Sequence, residues 1–319
     1  MAKINFDNIT GNEAVSFEET TSQTGKQMPE FDMPDKNVSP VDQRSGMTLE
    51  EISDPSKIKV SIADYDTPFV VLFGPPSCGK TMTLVRLARY LRKQTYTVEI
   101  VRSFRPAYDN KYKELCDNFD KLIESDEAAK STADINFMLV KVFYRSKPIC
   151  QILEAPGEAY FMPSEPNKDF PRYVNAIINH NNRRIWIVLV EPDSTNANMD
   201  DEARRNYVNK VRKLKTKISP RDKIIFLYNK IDETNYVRFP GNIDYEEAVK
   251  DVNHNYPNIL EHFKNENPIT KLWKSYNCDL LAFQTGTYDT AADGGTTFEA
   301  GNDVYPMNLW QLILKRIRG

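Results

Sequence analysis

Eight consecutive residues, Gly74-Pro75-Pro76-Ser77-Cys78-Gly79-Lys80-Thr81, fit the pattern G-x-x-x-x-G-K-[ST] at every fixed position. The chemistry of that spacing is phosphate binding. Backbone N–H groups of a glycine-bounded loop, together with the N-terminus of the helix that follows, converge on an anion. Lys80 is expected to reach the terminal phosphates and the Thr81 hydroxyl to ligate Mg²⁺. A second set, Asn229-Lys230-Ile231-Asp232, bears on the base. An Asp carboxylate accepts two hydrogen bonds at once from the ring N–H and exocyclic amine of guanine. Adenine has no such edge and would leave the carboxylate desolvated and unpaired. A site built on a required polar contact rejects the analogue lacking it by roughly 10⁴–10⁵-fold. The Lys230 stem can lie along the base, and Asn229 can tie this loop to the phosphate loop. The ligand the two sets predict is GTP or GDP with Mg²⁺.

Elements of matching type flank both sets. Residues 68–73 form an apolar, β-branched and aromatic run that reads as a buried strand. After the phosphate loop, Leu84, Leu87, Ala88 and Leu91 share one helical face, with Arg86, Arg89, Arg92 and Lys93 off it. A strand over 96–101 follows, then a helix marked by Tyr112, Leu115, Phe119, Leu122 and Ile123, then a polar loop over 124–132. Residues 137–144 and 149–153 are joined by Arg145-Ser146-Lys147, a connection short enough to demand an antiparallel hairpin. The hairpin runs straight into Glu154-Ala155-Pro156-Gly157-Glu158. Strands are expected over 185–190, ending at Glu191-Pro192-Asp193, and over 223–228, ending at the Asn229 set; a helix over 200–217 lies between them. A helical stretch over 244–276 is interrupted by Pro257 and Pro268. The last strand, 279–283, ends at Gln284-Thr285-Gly286, and a helix over 307–318 closes the chain. This alternation predicts an α/β three-layer P-loop NTPase fold. Its sheet is mostly parallel with one antiparallel hairpin strand, and helices cover both faces. Every polar set follows the carboxyl end of a strand, where such sheets bind ligands.

Composition bounds the rest. Hydrophobic residues make up 40% of the 319, with 16 Phe, 16 Tyr and 3 Trp, enough for a sizeable core. A net charge of −3 argues against a general nucleic-acid binder. There is no apolar run long enough to span a membrane and no signal-peptide pattern, so a cytoplasmic protein is expected. The four cysteines (Cys78, Cys116, Cys150, Cys278) form no C-x-x-C pair, which fits reduced thiols. Cys78 sits at a helix N-terminus, where thiols can become reactive, but a small residue tolerated in a tight loop is the plainer reading. His180, His254 and His262 lack ligand spacing. Residues 1–65 are acidic and lack apolar periodicity, which predicts a disordered tail. Phe6, Phe17, Phe31 and Met33 are its candidate anchors on an effector or regulatory partner. The domain proper is then 66–319.

In its order of parts the chain over 66–319 resembles a Ras-like (translation-factor-class) P-loop GTPase. The parts are the phosphate loop, the hairpin, a D-x-x-G-like turn, N-K-x-D, and a small-residue turn after the last strand. A divergent bacterial branch is indicated, with a strand and helix inserted at about 95–131. The resemblance implies that Thr132 is the first-switch threonine and a metal ligand. It implies that the Gly157 N–H senses the γ-phosphate, and that Thr285 and Gly286 supply backbone contacts to the guanine oxygen. The D-x-x-G turn here reads Glu154-Ala155-Pro156-Gly157, with Glu154 in the place that holds a Mg²⁺-bound water. Glu158 stands where small GTPases orient water with Gln, and Pro76 where they often have Gly. Lys130 and Arg172 are candidates for charge stabilisation in the transition state. The expected function is a guanine-nucleotide-dependent switch or slow GTPase. The alternatives are a P-loop ATPase or phosphotransferase in which the Asn229 set is incidental, and a non-hydrolysing scaffold.

Overall fold

A computed structural model describes residues 57, 59–124, 138–155, 157–161, 163, 165–170, 172–192, 199–267, 275–290 and 296–319; side chains are not described at 158, 159, 172, 173, 288–290 and 296–298. The architecture grows outward from β1 (Phe69–Phe73), whose five residues are all buried. An all-apolar strand with no polar face must be covered on both sides, which places it at the centre of a sheet. The chain continues through α1 (Lys80–Lys93), β2 (Tyr96–Ile100), α2 (Asn110–Glu124), β3 (Met138–Tyr144) and β4 (Lys147–Glu154). Next come α3 (Gly157–Tyr160), α4 (Arg172–Asn179), β5 (Arg184–Val190), α5 (Asp201–Lys217) and β6 (Lys223–Tyr228). It ends with β7 (Val237–Phe239), β8 (Asn242–Ile243), α6 (Tyr245–Asn255), β9 (Asp279–Ala282), β10 (Thr287–Thr290), β11 (Thr296–Glu299) and α7 (Val304–Arg318).

Seven strands form one sheet in the order β2-β3-β4-β1-β5-β6-β9. β1 pairs parallel with β4 and β5, and β6 parallel with β5 and β9. β3 pairs antiparallel with both β2 and β4, so it alone runs against the rest. The hairpin between β3 and β4 turns on Arg145 (φ 48) and Ser146 (φ 65). Two successive left-handed residues make the twist of the turn match that of the strands. α1 packs between α2 and α7. Phe73 stacks on Tyr207 of α5 at 6.1 Å between ring centroids. The expected fold class is the observed one: α/β, mostly parallel, with a single antiparallel strand.

Two expectations are corrected. The stretch 244–276 is not one interrupted helix: α6 stops at Asn255, Asn258 adopts φ 66, and a 3₁₀ turn over Glu261–Phe263 follows. Pro257 removes an N–H that the helix would need, and a left-handed residue ends its repeat. The strand at 279–282 is not the last, because β10 and β11 pair antiparallel beyond it. Their Thr-rich sequence carries little apolar alternation. Contacts with the fold also begin ahead of the boundary expected after residue 65. Ser61 N donates to Phe104 O at 2.8 Å, Arg105 donates to Lys59 O, and Asp64 accepts from Thr67 and Lys141. The chain is tied to the fold from Lys59 onward. The rest of the acidic segment, with Phe6, Phe17, Phe31 and Met33, lies outside the described residues.

Candidate functional site

Directly after β1 the chain enters the loop Gly74–Gly79, in which Ser77 (φ 60) and Gly79 (φ 88) take left-handed backbone conformations. Two such residues let the loop curl back over the start of α1. The first turn of α1 holds no acidic residue and no side-chain cap, so its N–H groups and the positive end of the helix face the loop. Lys80 is buried, and its Nζ donates to Gly74 O at 3.1 Å and Pro75 O at 2.7 Å. The cation is thus held inside the curl of the loop. Burial pushes the Cys78 thiol up to about 11, with the nearby Lys80 charge acting the other way. It stays protonated, in keeping with a small packed residue rather than a reactive one.

Three other strand ends converge on this loop. At the end of β4, Glu154 is 3% exposed, and Thr81 Oγ1 donates to its Oε1 at 2.9 Å. Two oxygen ligand types, 73 residues apart in the chain, are thereby brought into contact. Mg²⁺ takes few protein ligands and completes its shell with phosphate oxygens and water. A hydroxyl paired with a buried carboxylate beside the phosphate loop fits that demand. Among the described residues no cluster of three or more His, Cys, Asp or Glu offers an alternative metal site. Gly157, opening α3, lies against the loop. A Cβ there would stand 2.1 Å from Pro76 N and 2.3 Å from Pro75 C, so only glycine permits the approach. Glu158 follows in α3 and Arg172 opens α4, but their side chains are outside the described set. Lys130 and Thr132 lie outside the described residues altogether.

The Asn229 set leaves the end of β6. Asn229 is fully buried, and its Nδ2 donates to Cys78 O at 2.8 Å. This bond joins the loop after β6 to the phosphate loop. Its Oδ1 is buried without a protein partner among the described residues. Lys230 adopts φ 54, and its Nζ pairs with Glu191 Oε2 at 2.8 Å. Glu191, at the end of β5, is completely buried. Ile231 N donates to Phe283 O at 3.1 Å, which binds this loop to the one after β9. Thr285 and Gly286 are both buried in that second loop. Asp232 stands exposed at the rim and hydrogen-bonds the Gln284 side chain. Partial desolvation raises its carboxyl above the usual range, and the Arg86 charge and the Gln284 bond act against that rise.

No family model matches the chain, and no curated protein matches it. Among solved structures it is similar to the Plasmodium falciparum chain described as nucleolar GTP-binding protein 1. The TM-score is 0.40 and the identity 13%, over 82% of this chain and 90% of that one.

Sequence reasoning gave three neighbours of these loops no role. Glu191 was visible only as a polar residue at a strand end. Gln284 stands in the sequence only as the edge of the Thr285 turn. Arg86, placed off the apolar face of its helix, is 3% exposed. Its guanidinium donates to Gln284 O, Gly301 O and Asn302 O. Helical periodicity separates apolar from polar faces, and it cannot show that a polar face is itself covered by another segment.

Proposed function

We propose that the chain is a guanine-nucleotide-binding switch or slow GTPase that takes GTP and GDP with Mg²⁺. The observation that carries this reading is the Asn229–Cys78 bond. It sets a loop ending in an exposed, acceptor-only carboxylate, Asp232, beside a phosphate-type loop. A single nucleotide would then lie with its phosphates at the first loop and its base at the second. The buried, unpartnered Asn229 Oδ1 between them supports the same location.

In this reading Lys80 exchanges its bonds to Gly74 O and Pro75 O for bonds to phosphate oxygens, and the N–H groups of the loop and of the first turn of α1 share the remaining charge. Thr81 and Glu154 would hold the metal, and Thr132, by its place in the motif, would join them. When bound, Mg²⁺ neutralises charge on the transferring phosphate. Gly157 presents its N–H to the third phosphate because nothing but glycine can sit against Pro75 and Pro76. Thr285 and Gly286 supply backbone contacts to the base. Glu158 places a carboxylate where a water-orienting amide would serve, and repulsion from the third phosphate keeps unaided hydrolysis slow. The expected rate is no higher than the ~10⁻⁴ s⁻¹ order of small GTPases without an activating partner. Single-turnover phosphate release measures it, and a rate a hundredfold faster would reject this role for Glu158. The four free cysteines, all buried, fit a reducing compartment such as the cytosol. Among the described residues no helix is long and apolar enough to cross a membrane.

The test is a change of base. Asp232→Asn replaces one acceptor with a donor facing the guanine amine, so affinity for GTP collapses. Xanthine carries a carbonyl at that position, so XTP binding improves. Lys80 and Thr81 are untouched and preserve phosphate binding as an internal control. The measured quantity is the ratio of XTP to GTP dissociation constants. An unchanged ratio, or a wild-type protein that binds ATP as well as GTP, would remove the guanine assignment and leave an ATPase or phosphotransferase.

A further inference from the structure

We propose that Arg86 is a positioning residue for base recognition, acting from the helix that follows the phosphate loop on the loop that faces Asp232. The proposal rests on the guanine reading of Asp232 and adds to it the means by which that carboxylate is aimed. Arg86 lies on α1, 146 residues before Asp232 and 198 before Gln284. Its Nη1 donates to Gln284 O at 2.6 Å, and its Nη2 to Gly301 O at 2.8 Å and Asn302 O at 2.9 Å. The guanidinium carbon lies 5.9 Å from the centroid of the Phe283 ring. A planar fork that meets three carbonyls and an aromatic ring fixes their relative positions in a way an ammonium does not.

The object so held is Gln284. Its carbonyl is pinned by Arg86, and its side chain is boxed from the far side by Gly301. A Cβ on Gly301 would lie 2.5 Å from Gln284 Oε1. The remaining freedom of the Gln284 amide is used on Asp232, to which it hydrogen-bonds. Phe283, the residue before Gln284, accepts from Ile231 N, the residue before Asp232. Arg86 therefore braces one loop, and that loop holds the other by one backbone bond and one side-chain bond. The same guanidinium charge favours the ionised Asp232 carboxylate, the form that accepts two N–H groups. The three carbonyl bonds of Arg86 run to the Gln284 loop and to the Gly301–Asn302 segment, so its loss is expected to bear on the base more than on the phosphates.

The experiment compares GDP with ADP, which share their phosphates and ribose and differ only in the base. Wild type, Arg86→Lys and Gln284→Ala are each measured as full-length protein, with thermal melting as the control for folding. In wild type, GDP is preferred by a large factor. In both variants the GDP:ADP ratio falls by about tenfold or more, the size expected when a hydrogen bond to a charged group is lost. ADP affinity itself stays within about threefold of wild type, a pattern that general loosening of the fold does not produce. Should Arg86→Lys fail to fold, Arg86→Gln is measured in its place, and Gln284→Ala reports separately on the link from that loop to Asp232. A ratio unmoved in the folded variants, with wild type still preferring GDP, overturns the role of Arg86 and leaves the guanine reading standing. A wild type with no preference for GDP overturns both.

Discussion

At the scale of single residues, Lys80 is a charge held by backbone. Lys80 is buried, yet its partners are two loop carbonyls rather than a carboxylate. No carboxylate among the described residues pairs with it, so the charge is available to a ligand. Lys80→Ala is expected to fold with a melting temperature close to wild type. Each charge-assisted bond lost to phosphate is worth about 1.5–3 kcal/mol, so nucleotide affinity should drop by roughly a hundredfold or more. Calorimetric titration with GDP beside a thermal melt checks both halves. A well-folded variant with unchanged affinity would reject the phosphate assignment. Asp64 shows the opposite use of charge. Its burial acts to raise the carboxyl, but bonds from Lys141 and Thr67 outweigh it and hold the group at about 2. A depressed folded value stabilises the protein above the unfolded value of about 4, and that contribution is lost as pH falls from there towards 2. It amounts to about 2 kcal/mol. Asp64→Asn should lower stability at pH 7 by that order and flatten its fall between pH 4 and 2. Denaturant unfolding at several pH values measures the slope.

At the scale of elements, the close approach of α3 to the phosphate loop is the most constrained contact. Gly157 has backbone atoms of Pro75 and Pro76 where a side chain would begin, and backbone cannot yield as a flexible side chain can. Gly157→Ala must therefore push α3 away from the loop. The overpacking should cost about 1–3 kcal/mol of stability. Moving the N–H away from the third phosphate should weaken GTP more than GDP. Dissociation constants for a non-hydrolysed GTP analogue and for GDP separate the two effects. Equal losses for both ligands would show that α3 does not respond to the third phosphate. Elsewhere the elements follow local rules. α5 begins where Asp200 accepts from Ala203 N, with Asp201 and Glu202 in the first turn and Lys215 and Lys217 in the last, all favourable to the helix dipole.

At the scale of the whole molecule, the segment leading into the sheet is bonded to it at several points. Gln151 and Asn182, both buried, donate to Asp64 O and Thr67 O from two different strands' neighbourhoods, fastening residues 64–67 under the sheet. Two truncations distinguish tail from fold. Removing residues 1–56 should move the melting temperature by no more than about 2 °C. Removing 1–65 also takes away Asp64, the Ser61 backbone bond and the Lys59 carbonyl that Arg105 uses. Several kcal/mol at about 2–4 °C each predicts a drop of about 5 °C or more. Equal melting temperatures for the two truncations would show that these contacts contribute nothing.

The sequence by itself determined the local chemistry and the elements that carry it. Glycine spacing, an apolar strand before and an amphipathic helix after were enough to place the phosphate-type loop between β1 and α1. Alternation and run length were enough for the sheet strands. These are short-range signals, written in neighbouring residues and in periods of two and 3.6. What the tertiary structure decided are pairings across long stretches of chain. Thr81 meets Glu154, Asn229 meets the carbonyl of Cys78, Lys230 meets Glu191, and Arg86 meets three carbonyls near the C-terminus. A buried charge must find a partner, but the sequence does not say which one. Only the parallel order of the strands, which brings their carboxyl ends to one edge, selects Glu191 for Lys230 and the Gln284 loop for Arg86.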